Sequence, residues 1–338
     1  MPVTMKDVAK KAGVSIKTVS RVINDQGEIS EDTRLKIMTI IDELGYRPNK
    51  LARGLLTGKT YTVGVIIPDI TDPFFPDLIL GAEQAARDRQ FNVFLCNANR
   101  EPNLELHYAN ILKDRQVDGL LLAGSRLQPE GLKNVVNNHK VVILSQYAIA
   151  GATVFSMNDY DASYAVGSYL YDLGHRKIAY LNGGWSGSSE HRLDGFIQSL
   201  IDRGLAREEV PVAQVLPTSH EVGFQRTVEL LELHPEITAI ACYNDILAIA
   251  ALQGATAVGR HVPDDIAIVG YDDIPEATRI TPALTTVHYD RKQIGSDMMN
   301  KLLDMVEDKS GEDMQISIEG YLLERQSCIA KDSFLGGE

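Results

Sequence analysis

The sequence has 338 residues, of which 44% are hydrophobic and 23% charged, and its formal net charge is −13. This length corresponds to two or three domains of about 100–200 residues, and the composition excludes a largely disordered or collagen-like chain. No apolar run approaches the roughly 20 residues of a membrane span, and residues 1–13 lack the apolar core of a signal peptide. Three widely spaced cysteines predict neither a disulfide framework nor a metal site, which favours a cytoplasmic protein.

The charge is divided unevenly along the chain. Residues 1–60 hold 11 Lys and Arg against 7 Asp and Glu, a net charge of +4, whereas the remaining residues hold 22 against 39, a net charge of −17. The acidic total alone argues against nucleic acid as a partner. A small basic segment on a large acidic body instead indicates that the segment contacts nucleic acid.

Three short helices are predicted in the basic segment. The first begins after Thr4 and ends at Gly13, the second spans Ile16–Ile23, and the third runs from Ser30 to Leu44. Hydroxyl side chains at the helix starts and glycines at the ends favour these boundaries. Two short helices joined by a tight turn that contains glycine are typical of a helix-turn-helix.

The second helix presents Lys17 and Arg21 on one side, because residues four apart share a helix face. Arginine can donate two hydrogen bonds to guanine in the major groove, and the hydroxyl of Ser20 can reach a phosphate. The alternative is a solvated helix face with two ordinary cations.

Residues 46–56 predict a hinge between the helical segment and the body. Pro48 favours a break, Asn49 can cap a helix, and Lys50–Leu56 is long enough for about two turns. A helix this short is unstable alone in water. An exposed leucine there suits the minor groove, where it can wedge between base steps. The alternative is a linker whose leucines dock on the next domain.

The body alternates short apolar strands with helices from Tyr61 onward, which predicts parallel sheets covered on both faces. Two similar halves indicate two lobes with a cleft between them. The predicted strands are Val63–Pro68, Val93–Asn97, Gly119–Gly124, Val141–Gln146 and Val154–Met157 in the first half, and Ile178–Asn182, Val212–Leu216, Ala239–Tyr243 and Ile266–Gly270 in the second.

Polar and aromatic residues follow these strands, at the edge where such sheets bind ligands. Asp72 precedes two phenylalanines, Asn244 and Asp272 offer acceptors, and Arg192 offers five donors. A sugar, a sugar phosphate or a nucleoside suits this chemistry. Few cations besides Arg100 and Arg192 appear near the cleft, which weighs against a phosphate.

The common catalytic and metal-binding motifs are missing from the sequence: there is no Walker A loop, Gly-x-Ser-x-Gly, His-Glu-x-x-His or Cys-x-x-Cys. Gly183–Gly187 is rich in glycine but does not match the dinucleotide fingerprint. We therefore predict no catalytic residues, no metal and no cofactor. A sugar-metabolising enzyme of Rossmann type stays as an alternative that a turnover assay with nicotinamide cofactors would test.

Several motifs together resemble the LacI/GalR family of bacterial transcription regulators. They are Met5–Ser15, Thr18–Asn24, Tyr46–Asn49 and Leu51–Leu55 near the N-terminus, and Val63–Asp69, Leu173–Ala179, Arg192–Phe196, Tyr243–Asp245, Gly270–Asp273 and Thr281–Val287 in the body. The resemblance covers essentially the whole chain, and the N-terminal motif is highly specific.

The resemblance implies which residues contact DNA. In the helix-turn-helix and the hinge they are Thr4, Ser15, Ile16, Lys17, Thr18, Ser20, Arg21, Asn24, Asn49, Leu51, Ala52, Arg53 and Leu55. Among them, Ile16, Lys17 and Arg21 are expected to read bases, and Leu55 is expected to be the leucine that intercalates.

The resemblance also implies which residues line the effector cleft. They are Asp72, Phe74, Phe75, Ser125, Ser145, Trp185, Arg192, Asn244 and Asp272. Several relatives carry an aromatic residue where Thr218 stands, so the stacking ring is expected to come from Trp185. Arg291–Gln293 does not resemble the residues with which some members bind a phosphocarrier protein, so we do not predict that partner.

The fold implied is an all-α helix-turn-helix head joined to a two-lobed, doubly wound α/β effector domain similar to type I periplasmic binding proteins. Its expected parts are the head (residues 1–48), the hinge (49–60), the effector and dimerisation domain (61–330) and a flexible tail (331–338). Lobe 1 is expected to comprise about residues 61–160 and 291–320, and lobe 2 about residues 161–290 and 321–330.

The function implied is a sequence-specific repressor, a homodimer that binds a pseudo-palindromic double-stranded operator under the control of a small effector, with no membrane partner. A sugar is the expected effector. The alternative is the solute-binding protein of a transport system, which would explain the two lobes but not the basic head.

Overall fold

The structure is a computed structural model that describes residues 3–23, 27, 29–46, 59–184, 187–309 and 314–330. The chain divides into two compact units, residues 1–60 and residues 61–338. None of the helices in the described ranges is both long and apolar enough to cross a membrane.

The first unit contains the three helices that the sequence predicts: α1 (Met5–Ala12), α2 (Ile16–Ile23) and α3 (Glu31–Leu44). The carboxylate of Asp7 accepts hydrogen bonds from the backbone N–H and the hydroxyl of Thr4, at 2.9 and 2.6 Å, which fixes the start of α1. Gly13 ends α1 with a φ of 69°, a left-handed conformation that favours glycine. The apolar faces of all three helices meet in a small core around Val8, Val19 and Ile37.

Lobe 1 is built on a six-stranded parallel sheet in the order β11-β5-β4-β3-β1-β2. Its strands are β1 (Thr62–Ile67), β2 (Asn92–Asn97), β3 (Gly119–Ala123), β4 (Val141–Leu144), β5 (Thr153–Met157) and β11 (Gln315–Ile318). Its helices are α4 (Phe74–Asp88), α5 (Pro102–Asp114), α6 (Pro129–Val136) and α11 (Arg291–Val306). The central strands are fully buried because helices cover both faces of the sheet.

Lobe 2 is built on a four-stranded parallel sheet in the order β7-β6-β8-β9. Its strands are β6 (Ile178–Gly183), β7 (Val212–Val215), β8 (Ala239–Cys242) and β9 (Ala267–Val269), and its helices are α7 (Asp159–Asp172), α8 (Gly187–Ile201), α9 (His220–Leu233) and α10 (Asp245–Ala257). Two strands, β10 (Thr286–His288) and β12 (Tyr321–Leu323), form a separate antiparallel pair.

Three segments connect the lobes: β5 to α7, β10 to α11, and β11 to β12. Lobe 1 also includes α11, which is distant in sequence from the other helices of this lobe and packs closely on α4. A Cβ on Gly295 of α11 would lie 1.9 Å from the carbonyl oxygen of Leu78, and a Cβ on Gly81 would lie 1.8 Å from that of Lys292. These two glycines therefore allow backbone-to-backbone packing that no other residue would permit.

The strands predicted from the sequence are found within about two residues of their expected bounds. Three strands were missed, β10, β11 and β12. Of these, β11 has four residues, alternates between exposed and half-buried positions, and pairs in register with β5 from more than 150 positions away in the chain. A short edge strand of this kind carries no continuous apolar run, which is the signal that identified the other strands.

Candidate functional site

A cavity of about 780 Å³ lies between the two lobes, at the carboxyl ends of their strands. This volume is within the range of small-molecule sites in proteins. Eight of the nine residues predicted for the effector cleft line it: Asp72, Phe74, Phe75, Ser125, Ser145, Arg192, Asn244 and Asp272. The ninth, Trp185, lies outside the described residues.

Arg192 is the buried centre of the lobe 2 wall, with only 4% of its surface exposed. Its Nε donates to Asp159 at 2.8 Å, its Nη1 donates to the carbonyl of Tyr243 at 2.8 Å, and its Nη2 lies 3.2 Å from a carboxylate oxygen of Asp272. The guanidinium also stacks 3.6 Å above the ring of Tyr271. Burial alone would lower the pKa of Arg192, but the two carboxylates hold it well above its ordinary value.

Asp159 connects this arginine to a segment that joins the lobes, because it is the first residue of α7. Its carboxylate also accepts hydrogen bonds from the amide of Gln146 in lobe 1 and from the hydroxyl of Tyr271. The hydroxyl of Tyr271 lies 2.9 Å from that of Tyr289, which precedes α11 on a second connecting segment. The network therefore links the cavity wall to two of the three connections between the lobes.

Asp272 lines the cavity in an environment that destabilises its charged form. Burial raises its pKa to about 7, Arg192 partly opposes this, and Asp72 adds to it. The carboxylate oxygen that lies 3.2 Å from Nη2 of Arg192 is buried, and the backbone has a φ of 102°, which is unfavourable for any residue except glycine. Asp272 is therefore a strained carboxylate on the cavity wall whose burial Arg192 compensates only in part.

On the lobe 1 wall, Asp72 and the two phenylalanines stand at the start of α4. Burial raises the pKa of Asp72, while Arg100 lies 3.3 Å from it and 2.9 Å from Asp69. Phe74 and Phe75 are nearly buried and contact each other edge to face, with ring centroids 5.3 Å apart. Aromatic carbon next to carboxylates and an arginine suits the apolar faces and hydroxyl groups of a sugar.

Three of the predicted residues also hold the local backbone. The side chain of Asn244 accepts from the N–H of Leu247 at 3.1 Å and caps α10. The hydroxyl of Ser145 accepts from the N–H of Tyr147 at 3.1 Å, and the hydroxyl of Ser125 donates to Glu105. Their positions in the cavity are therefore fixed before any ligand binds.

Several residues that line the cavity were not predicted from the sequence. Two of them, Arg126 and Lys133, add to the two cations expected near the cleft. Arg126 follows β3 directly after the predicted Ser125, so the rule that identified strand-end loops could have identified it. Lys133 lies on α6, which had not been predicted. Gln146, Tyr243 and Thr218 complete the polar and aromatic wall, the last at the position where the stacking aromatic residue is missing.

In the first unit, α2 presents the predicted DNA-reading face. Ile16, Lys17 and Arg21 are exposed, while Val19 and Val22 on the opposite side are buried. Thr4 and Ser15 are exposed, Thr18 and Ser20 are half-buried, and the hydroxyl of Ser15 accepts from the N–H of Thr18 at 3.1 Å. The predicted DNA contacts Asn24, Asn49, Leu51, Ala52, Arg53 and Leu55 lie outside the described residues.

Each of the two units matches a known protein family. Residues 4–49 match the family described as bacterial regulatory proteins, lacI family. Residues 60–325 match the family of periplasmic binding proteins and sugar binding domains of the LacI family. The chain belongs to the LacI family. It is a DNA-binding transcriptional regulator and not an enzyme, which confirms the predicted class and fold. This match favours a regulator over the solute-binding protein of a transport system, because residues 4–49 match the regulatory family.

Named relatives extend over nearly the whole length of this LacI-family chain. The transcriptional repressor PurR of Erwinia tasmaniensis is 32% identical over 332 residues, which cover 96% of each chain. The regulator DegA of Bacillus subtilis is 35% identical and covers 88% of this chain and 89% of its own. Catabolite control protein A of Priestia megaterium is 34% identical, with coverages of 89% and 92%.

Several solved structures of regulators are also similar to most of this chain. A Lac repressor dimer bound to operator and the anti-inducer ONPF has a TM-score of 0.86 at 26% identity, covering 98% of this chain and all of its own. A complex of the regulator CelR with cellobiose has a TM-score of 0.73 at 28% identity, covering 96% of this chain and 99% of its own. A LacI family regulator from Enterococcus faecium with bound ribose has a TM-score of 0.72 at 26% identity and covers 80% of this chain and 99% of its own.

Proposed function

We propose that this protein is a repressor that binds a pseudo-palindromic operator as a homodimer and that a sugar in the cavity between the lobes changes its affinity for DNA. The observation that carries this proposal is a helix-turn-helix with an exposed basic face in the same chain as a cavity lined by Asp72, Phe74, Arg192 and Asp272. Relatives crystallised with operator DNA, cellobiose and ribose support it. Such a regulator works in the cytoplasm, where its operator is.

The proposed division of labour follows the two units. Residues 1–48 read the operator, residues 49–60 act as a hinge, and residues 61–330 bind the effector and form the dimer. Two heads on one dimer match the two half-sites of a pseudo-palindrome, because both share a two-fold axis. Ligand binding moves the lobes and so changes the spacing of the two hinges, which couples the sites reciprocally.

Operator binding can be tested without knowing the operator in advance. The full-length protein selects DNA from a random duplex pool, and we expect the enriched sites to be pseudo-palindromic. Arg21→Ala should weaken binding to the enriched site by about 10-fold or more, because a bidentate contact to a base contributes roughly 1–3 kcal/mol. Lys36→Ala on the exposed face of α3 is the matched control and should keep most of the affinity. Selection of no sequence above the starting pool would contradict the proposal.

The effector can be found by thermal shift. A panel of monosaccharides and disaccharides is screened for those that raise the unfolding temperature of the full-length protein. A sugar that does so should change the operator Kd of the wild type. It should have little effect on the operator Kd of Asp72→Asn, because this variant loses a carboxylate of the cavity wall that can accept ligand hydroxyl groups. A stabilising sugar that has no effect on operator binding would contradict control by this ligand.

A further inference from the structure

The cavity extends beyond the residues predicted for a sugar, into a region of lobe 1 that we name the loop pocket. Two loops line it, one after β3 and one after β4, together with the first turn of α6. Its residues are Arg126, Leu127, Gln128, Pro129, Leu132, Lys133, Tyr147, Ala148, Ile149 and Ala150. With this pocket included, the volume of about 780 Å³ leaves room for a ligand with a second group beyond one sugar ring.

The two cations of the loop pocket differ from the other two arginines of the cavity in how their charge is balanced. Arg192 lies between Asp159 and Asp272, and Arg100 lies between Asp69 and Asp72. Within the described residues, no carboxylate comes within ion-pair distance of Arg126 or Lys133. Both are exposed on the cavity wall. In a body whose net charge is −17, two cations without an ion pair among the described residues are unexpected at one end of a cavity.

The loop that carries Arg126 is held in place by a buried carboxylate. Glu105 on α5 accepts a hydrogen bond from the hydroxyl of Ser125 and another, 2.9 Å long, from the backbone N–H of Arg126. The same hydroxyl accepts from the N–H of Leu127 at 3.1 Å. Burial raises the pKa of Glu105, so keeping this carboxylate inside the lobe has a cost. The loop is therefore built to present the side chain of Arg126 from a fixed backbone.

The electrostatics of the loop pocket favour an anion. Desolvation of its guanidinium at the cavity wall and repulsion from Arg100 lower the pKa of Arg126, and the more distant Glu105 and Asp69 oppose this only in part. An added negative charge would therefore relieve both cations. Gln128 and Pro129 place the amino end of α6 at the same wall, and the helix dipole adds partial positive charge there. Arginine can hold two oxygens of a phosphate or carboxylate, and lysine adds a point charge.

We propose that the effector carries an anionic oxygen group, a phosphate ester or a carboxylate, and that Arg126 and Lys133 bind this group in the loop pocket. The hydroxyl groups of the same ligand then reach Asp72, Arg192 and Asp272 in the main part of the cavity. This inference rests on the proposed function, because it assigns a chemical class to the ligand of that site. It reverses the sequence-based expectation that the cleft disfavours a phosphate.

Inorganic phosphate is the direct probe of the loop pocket. The unfolding temperature of the full-length protein is measured in rising concentrations of sodium phosphate and in sodium chloride of equal ionic strength. We expect phosphate to raise the unfolding temperature of the wild type above that in chloride, and Arg126→Gln and Lys133→Gln to lose this difference. Arg115→Gln, an exposed charge change on the far end of α5 outside the cavity, should keep it. An equal response of all four proteins would overturn the proposal.

Three related sugars distinguish a phosphate ester from a carboxylate as the anionic group. Binding of glucose, glucose 6-phosphate and glucuronate is compared by titration calorimetry with the wild type and Arg126→Gln. We expect one anionic sugar to bind at least about 10-fold more tightly than glucose, and Arg126→Gln to remove this advantage. Glucose binding that equals or exceeds that of both anionic sugars would overturn the anionic effector.

Operator binding by the same variants keeps this test separate from that of the proposed function. Without ligand, Arg126→Gln and Lys133→Gln should bind the selected operator as the wild type does, because both residues lie in lobe 1 and not in the head. A wild type that binds operator and a neutral sugar, with no preference for anions, would reject only the anionic effector. A wild type that prefers phosphate but selects no operator would reject only the proposed function.

Discussion

At the scale of single residues, the cavity wall depends on one buried cation. Arg192 neutralises two carboxylates that are themselves almost completely buried, and each of its terminal groups has a different partner. Removing one member of a buried ion pair leaves the other charge without compensation, which costs more than the pair contributes to stability. Arg192 is therefore a structural residue of the cavity wall.

This structural role predicts a large loss of stability for Arg192→Met. The variant leaves the carboxylates of Asp159 and Asp272 buried without a cation, and we expect it to lower the free energy of unfolding by about 3–5 kcal/mol. Urea denaturation measures the loss. Adding Asp159→Asn to Arg192→Met should recover part of it, with a coupling energy of about 1–3 kcal/mol. Strictly additive effects of the two substitutions would show that the pair does not act as a unit.

Asp272 predicts a pH dependence whose sign follows from its raised pKa of about 7. A carboxyl group that binds its proton more tightly in the folded state costs no stability below its unfolded pKa, where both states are protonated. It costs stability progressively as the pH rises from the unfolded value of about 4 to about 7. Asp272→Asn removes this titration. The stability of the variant relative to that of the wild type should therefore increase from pH 5 to pH 8, by about 1–2 kcal/mol in the free energy of unfolding.

Chemical denaturation at several pH values measures this difference. The exposed Asp264→Asn is the matched control, and its stability relative to the wild type should stay constant over the same range. If the carboxylate form of Asp272 accepts ligand hydroxyl groups, ligand affinity should also rise as the pH increases through 7. A constant difference between Asp272→Asn and the wild type would mean that this carboxyl group titrates below pH 5.

At the scale of the elements, the strand β2 leaves an apolar edge on lobe 1. It pairs only with β1 among the described strands, and Phe94 and Leu95, on opposite faces of the strand, are 49% and 43% exposed. Leu80 on the neighbouring helix α4 is 57% exposed. An exposed apolar edge strand is a liability in a monomer, so a second copy of the chain is the natural cover for it in a family that forms dimers.

We therefore expect Phe94→Asp to weaken the dimer. A charge in an apolar interface lowers the association constant, and a monomer with one head loses the effective concentration that binds the second half-site. Sedimentation velocity should show a monomer at concentrations where the wild type is dimeric, and operator affinity should fall at least about 10-fold. Ile201→Asp, a comparable exposed position on α8 in lobe 2, is the control. A dimeric Phe94→Asp protein would place the interface elsewhere.

The elements also show what the sequence could predict. Continuous apolar strands and capped helices are local signals, and they located both sheets. Residues that follow strand ends, together with the family resemblance, gave eight residues that line the cavity. Arg126 and Lys133 were missed because their importance depends on which carboxylates lie near them, and that is decided by contacts between distant segments. The network of Asp159, Tyr271 and Tyr289 was missed for the same reason, since its members are more than 100 residues apart at the extremes.

At the scale of the whole molecule, the uneven charge distribution separates two tasks. Residues 1–60, the head together with the predicted hinge, carry the net charge of +4 that attracts the DNA backbone, and the body carries −17. Phosphate contacts release counterions, so operator affinity should fall steeply with salt. The acidic body limits non-specific adhesion to DNA because like charges repel. The overall charge of −13 therefore reflects the acidic effector domain, whereas the smaller basic segment indicates the DNA partner.

The sequence predicts a hinge at residues 49–60 between the two units, with Leu55 as a minor-groove wedge. Leu55→Ala should weaken operator binding at least about 10-fold, because the side chain that holds the base step open is lost. Leu56→Ala beside it is the matched control and should have a much smaller effect. Titration calorimetry should show that effector affinity is unchanged in Leu55→Ala, since the cavity lies wholly within residues 61–338. Unchanged operator affinity in Leu55→Ala would exclude the wedge and leave the hinge leucines the role of docking on the body.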